Sequence, residues 1–301
     1  MKTFKKIIAL LLAVCLLGSV SAFALNSGDA RAVIGANLTE DQINSVYATF
    51  GVKRNDVKEL TVTNSEERQY LDGVASSDVI GTRSISCVYI QITDEGSGLD
   101  VTTSNINWCT KQMYINALTT AGIDDAKVII AAPFSVSGTA ALTGIYKAYE
   151  DITGETISEL AKQASTQELV ITAELADEIS EYDAVAIVNE LKLILDETKN
   201  MTDDEIKEEI KSIAKEYNVS LTDDEISKLV SLCRSLEGLS SDELQAKVES
   251  VQSALKKVAA AKDTVGGVFE AVKNIFSTVG DFLSNTFGKL SFVQKIKDKL
   301  S

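Results

Sequence analysis

"AKVIIAAPFSVSGTAALTGIYKAYE", residues 126–150, carries the single proline of the chain, Pro133, between an apolar run and a segment rich in small residues. The run at 126–132 predicts a buried strand, and beyond Gly138 the apolar spacing changes to that of a helix. A strand that enters a helix through serine, glycine and threonine is either a phosphate cradle or a structural turn. A cradle needs inward backbone N–H groups, glycines that admit the phosphate, and usually a lysine or a magnesium ligand. Here Ser137 reads as the helix cap, one glycine stands at the turn, the first lysine is Lys147, and no aspartate is placed for magnesium. Ala140, Gly144 and Ala148 fall at i, i+4 and i+8, so this helix can approach a sheet or another helix closely. The structural turn is the preferred reading. A small anion pocket formed by Ser135, Ser137, Gly138 and Thr139 is the alternative.

Working outward, residues 25–153 switch repeatedly between period 2 and period 3.6, which predicts a mixed α/β domain with a small sheet. "AVIGA" precedes a helix over 40–50 that Thr39 caps with Gln42 and Gly51 ends. "KELTVT" reads as a strand, and Asn64 opens a short helix to Leu71. "SISCVYIQIT" and "LDVTTSNI" flank the glycine turn "DEGSG" and read as a β-hairpin. A helix starting at Thr110 and stopped by Gly122 leads back to the quoted strand. If the hairpin turns at 94–97, facing positions sum to about 191 and Cys87 lies opposite Ser104. A Cys87–Cys109 disulfide would then need the "NWCT" loop to fold back, and both states remain open. Asp94, Glu95 and Asp100 around the turn are turn formers that could also hold a weak cation.

Over 154–261 the strand signals vanish and an all-α region follows. "MTDDEI" at 201–206 and "LTDDEI" at 221–226 resemble a tandem calcium motif, but a loop starting at Asp196 has Met201 where glycine is required and Lys207 where the closing glutamate belongs. Each is better read as a capping box, Thr202 with Glu205 and Thr222 with Glu225, and Ser240 with Glu243 repeats the pattern. Ile206, Ile210, Ile213 and Tyr217 form one apolar stripe; Ile226, Leu229, Cys233 and Leu236 form a second; Leu244, Val248, Val251, Leu255 and Val258 form a third. The fold class expected is α+β: a mixed domain, then a helical region, then a tail.

The tail, 262–301, is amphipathic. It has six lysines against four acids and five of the nine phenylalanines. Such a helix suits peripheral contact with an anionic membrane surface or another envelope protein, packing on the helical region, or self-association. At the other end, "MKTFKKIIALLLAVCLLGSVSAFA" has a basic head, an apolar core and small residues at Ala22 and Ala24, the pattern of a signal peptide cleaved after Ala24. Val14 before Cys15 argues against a lipoprotein signal. Cleavage leaves 26 basic and 44 acidic groups, a net charge of −18. That balance excludes a nucleic-acid partner, which needs a basic face. Histidine is absent, which removes histidine-based triads and imidazole metal sites; no catalytic residue, metal site or cofactor is assigned. The odd count of Cys87, Cys109 and Cys233 leaves at least one thiol unpaired within the mature chain. Trp108, the only tryptophan, lies in "NINWCT" as a partly buried anchor or a sugar-facing aromatic.

"GANLTEDQ", "TVTNSEERQYL", "IGTRSIS", "GSGLDVTTSNIN", "MYINALTTAGIDDAKVIIAAPFSVSGTAALTGIYKAYE" and "QELVITAEL" together resemble the successive blocks of the YpuA-like family, the domain of unknown function 1002. The resemblance runs from about residue 30 to about 180, with helical similarity beyond. It implies a secreted or envelope-facing protein with no established activity, and no catalytic residue to carry over. The function expected is a non-catalytic binding or structural module at the bacterial cell envelope, secreted or held at the cell surface. The alternative is a secreted hydrolase or small anionic-ligand binder at Pro133 to Thr139.

Overall fold

A computed structural model describes residues 28–239 and 241–262. The leader at 1–24, Ser240 and all but the first residue of the tail lie outside the described residues. Five strands form one mixed sheet: β1 (Ala30–Gly35), β2 (Lys58–Val62), β3 (Cys87–Ile92), β4 (Leu99–Ile106) and β5 (Ala126–Val136), in the order β2-β1-β3-β5-β4. β1 pairs parallel to β2 and antiparallel to β3, while β5 runs antiparallel to β3 and parallel to β4.

The expected β3–β4 hairpin is not made. β5 enters between its two arms, so Cys87 pairs with Ala131 and Ser104 pairs with the other edge of the same Ala131. The level of the two strands follows the predicted register, yet they are second neighbours. The reason lies in β5, whose "AKVIIAA" run is apolar on both faces apart from the exposed Lys127, and a strand apolar on both faces belongs in the interior of a sheet. β4, with Thr102, Thr103 and Asn105 outward, takes the edge.

Period-2 alternation divides the side chains between two cores. Ala32, Ile34, Cys87, Tyr89 and Ala131 meet Ile43, Val46, Tyr47 and Phe50 of α1 (Glu40–Phe50) on one face. Val33, Val88, Ile90, Val128 and Ile130 point to the opposite face, toward α4 (Lys111–Thr120) and α5 (Thr139–Thr153). The stripe of small residues acts as expected on α5: a Cβ added at Gly144 would lie 3.3 Å from Val88 and 3.4 Å from Val33, so this helix rests almost directly on the sheet. α2 (Asn64–Leu71) and α3 (Ser77–Ile80) bridge β2 to β3. Thr63, one residue before the expected start, caps α2 with Glu66 in a capping box.

Six further helices follow: α6 (Glu159–Glu178), α7 (Glu181–Leu193), α8 (Leu195–Thr198), α9 (Asp203–Glu216), α10 (Asp223–Glu237) and α11 (Asp242–Lys262). α6 is buried nearly all round. Leu169 and Ala173 join the core of the sheet, whereas Ala164, Ile171 and Leu175 join the helical core. Val251 and Leu255 of α11 also reach the sheet-side core. One apolar cluster thus runs across the junction at residue 153.

The capping boxes at Thr202 and Thr222 are formed as expected. At α11 the cap is Ser241, one residue later than expected, whose Oγ accepts from Leu244 N at 3.1 Å. The first two apolar stripes are confirmed. All their residues are buried except Tyr217, which is partly buried. In the third, Leu244, Val248, Val251 and Leu255 are buried.

Cys87, Cys109 and Cys233 are all buried free thiols. Cys87 faces α1 and Cys109 belongs to the opposite core, so the sheet itself separates them and the bridge is not made. Burial pushes the thiols of Cys87 and Cys109 up to about 12. A thiol reagent at neutral pH is therefore expected to find no rapidly reacting group among these three in the folded chain and all three after denaturation. Recovery of one thiol in denaturant would instead require a bridge.

Candidate functional site

At the end of β5 the chain enters α5 through Gly138, whose φ of 101° is in the left-handed region. No side chain fits there. A Cβ at this position would lie 2.6 Å from both Ile106 Cγ2 and Tyr114 Oη, and Tyr114 Oη donates to Gly138 O at 2.6 Å. Gly138 is therefore the N-cap, in place of the expected Ser137. Ser137 instead donates from Oγ to the carbonyl of Val79 at 3.1 Å, tying the turn to α3.

A cleft of about 230 Å³ opens beside this turn, lined from three stretches of chain: Glu67 on α2, residues 79–83, 85 and 86 from the end of α3 to the start of β3, and residues 136–140. Its inner wall holds Glu67, which is 1 % exposed and accepts from Thr139 Oγ1 at 2.5 Å and from Asn64 Nδ2 at 3.2 Å. Burial pushes its carboxyl above the usual range, against the pull of those hydrogen bonds and of nearby Arg68. The opposite wall is organised by two arginines. Arg68 donates to the carbonyl of Gly81 at 2.6 Å, and Arg83 donates from Nη2 to the carbonyl of Asn37 at 2.9 Å. Ser86, 2 % exposed, lies on the floor.

Of the residues singled out in the sequence, Ser137, Gly138 and Thr139 meet in this cleft. Ser135 and Trp108 do not line it. Ser135 is exposed on β5 next to Pro133, which sits within the strand. Trp108 is a partly buried anchor, with its ring against the core and Nε1 donating to Asp177 on α6 at 2.8 Å. Asp94 and Glu95 line a separate cleft with Asp124 and Asp125, and Asp100 stands apart on β4. No cluster of three or more acids or cysteines is arranged to hold a metal among the described residues.

Glu67, Arg83 and Ser86 escaped the reading of the sequence. One signal pointed to Glu67: it stands four residues before Leu71, the buried end of α2, so it shares the inward face of that helix. Arg83 and Ser86 sit in a loop with no periodicity to place them.

Fold and cleft define an α+β protein whose sheet is covered by helices, with a polar cleft where the interior strand β5 enters α5. The family described as "Protein of unknown function (DUF1002)" matches residues 34–258, and the chain belongs to that family. It is 40 % identical over 273 residues to the "Uncharacterized protein YpuA" of Bacillus subtilis (strain 168), covering 89 % of this chain and 90 % of that relative. No solved structure matches.

The raised carboxyl of Glu67 makes a signed prediction. Its proton is held more tightly in the folded than in the unfolded chain, so its ionisation costs stability above its folded value and costs nothing below its unfolded value of about 4.3. Glu67→Gln is expected to raise the melting temperature at pH 7, with the gain fading as pH falls to 4. A variant less stable at pH 7 would mean that the ionised carboxylate holds the turn.

Proposed function

We propose that this protein is an extracytoplasmic module of the bacterial cell envelope, released from its leader after Ala24, which acts by binding and not by turnover. The observation that carries the reading is the burial of the cleft's one acid–hydroxyl pair: Glu67 is 1 % and Thr139 3 % exposed. A nucleophile must be presented to its substrate, and a general base must reach the proton it removes. These two groups face each other inside the wall, where they hold α2 against the start of α5. The strongly acidic mature chain and the leader pattern support an exported protein. No described helix is long and apolar enough to cross a membrane. In the same reading, residues 262–301 supply a peripheral contact with the membrane surface, with another envelope protein, or with a second copy.

One observation favours a second reading, a secreted hydrolase. At 2.5 Å, Thr139 and Glu67 also have the spacing of a hydroxyl nucleophile and its base. The two readings separate in one experiment, in which residues 25–301 are incubated with isolated Gram-positive envelope fragments and sedimented. The binding module is expected in the pellet, with no soluble fragments released and with Glu67→Gln retained equally. A chain that stays in the supernatant overturns the binding reading. Soluble products that Glu67→Gln abolishes establish the hydrolase.

A further inference from the structure

The cleft at Gly138 is lined by hydrogen-bond donors that the protein leaves unused. α5 starts without a side-chain cap, and the N–H groups of Thr139 and Ala140 meet no acceptor among the described residues. Such first-turn groups carry the positive end of the helix dipole. A separate observation comes from the segment just before β3. Ser86 is 2 % exposed, lines this cleft, and its hydroxyl has no hydrogen-bond partner among the described residues. Its oxygen is not sealed in; the side-chain oxygens that are both sealed and unpartnered belong to Ser84 and Thr93. Ser86 stands immediately ahead of β3 and lines the cleft together with Thr139 and Ala140 of α5, so its small open part belongs to the cleft. A nearly buried hydroxyl without a protein partner is poorly hydrated, and a polar guest supplies the hydrogen bond it lacks. On the rim, Arg83 spends Nη2 on the Asn37 carbonyl and has no carboxylate within ion-pair distance among the described residues.

We propose that this cleft binds the carboxylate of a small, singly charged molecule through Arg83, Ser86 and the N–H groups of Thr139 and Ala140. The inference rests on the binding reading above and names its ligand class. A carboxylate has two oxygens with about four acceptor positions, which one remaining guanidinium N–H of Arg83, two successive backbone N–H groups and one hydroxyl can fill. Glu67 in the wall disfavours a second negative charge, which argues against a phosphate dianion. The remaining space in about 230 Å³ admits a body the size of an amino acid behind the carboxylate.

The test titrates residues 25–301 with N-acetylalanine, its methyl ester and inorganic phosphate, following the amide resonances of Thr139 and Ala140. N-acetylalanine is expected to shift both in a saturable way, the neutral ester to shift neither, and phosphate to bind at least ~10-fold more weakly. Arg83→Gln, on the exposed rim, is expected to weaken N-acetylalanine by about 10-fold and Ser86→Ala by about threefold, with native circular dichroism in both. No response of these amides to N-acetylalanine, an equal response to the ester, or tighter phosphate binding overturns the proposal. If the chain still sediments with envelope fragments in that case, the ligand class falls and the binding reading stands.

Discussion

Lys192 and Glu168 form an ion pair at 2.7 Å in the middle of the molecule, with side chains 1 % and 0 % exposed. Removing two charges from water costs several kcal/mol each, and their attraction offsets this only when every remaining donor and acceptor is also satisfied. The neighbouring helices supply those partners. Thr120 on α4 donates to Glu168 Oε2 at 2.5 Å, and Lys192 also reaches the carbonyl of Asn116 at 3.5 Å. The Asn116 amide donates to Asn189 on α7, and Asn189 donates to Gln252 on α11. Four helices are therefore held in one register, because displacement of any of them leaves a buried polar group unpaired. α4 lies on the sheet, and α6 is tied to α5 through side chains: Lys162 pairs with Glu150 at 2.8 Å. Tyr146 on α5 exchanges a hydrogen bond with Ser165 at 2.6 Å. The turn at Gly138, and with it the cleft, is set from both sides by this arrangement.

Much of the chain was legible from local chemistry. Capping boxes at Thr39, Thr202 and Thr222 locate three helix starts because a hydroxyl and a Gln or Glu side chain must stand three residues apart to satisfy the first N–H groups. The small face of α5 was legible for the same reason: Ala140, Gly144 and Ala148 share one side of any helix. Strand order was not. A glycine turn between two alternating strands specifies that they are antiparallel and level, but a third strand can enter between them without changing either, and the run at 126–132 states only that β5 is buried. Polar core residues were illegible too. In "QELVITAEL" Glu168 looks like a solvent-facing acid, and only the approach of Lys192, 24 residues later, makes it an interior one.

The cleft follows the same division. Ser137, Gly138 and Thr139 could be found because a strand-to-helix turn has a recognisable composition. Glu67, Arg83 and Ser86 come from other segments and are brought there by the pairing of β1, β3 and β5, which no local pattern encodes. The cleft answers the question of the phosphate cradle in physical terms. α5 starts without a side-chain cap, but the chain has put a carboxyl of its own in the wall, bonded to Thr139, and the proposed guest is small and singly charged for that reason.

The central claim is that sheet and helices form one cooperative body around the Lys192–Glu168 pair. Denaturant unfolding of residues 25–301, followed by Trp108 fluorescence and by circular dichroism, tests it through a double-mutant cycle. Lys192→Met strands an uncompensated carboxylate and should destabilise by about 3–5 kcal/mol, with both probes moving together. Lys192→Met combined with Glu168→Leu should recover much of that loss. A cost below about 1 kcal/mol for Lys192→Met, or two separate transitions in which the helices melt while the surroundings of Trp108 stay folded, would contradict the account.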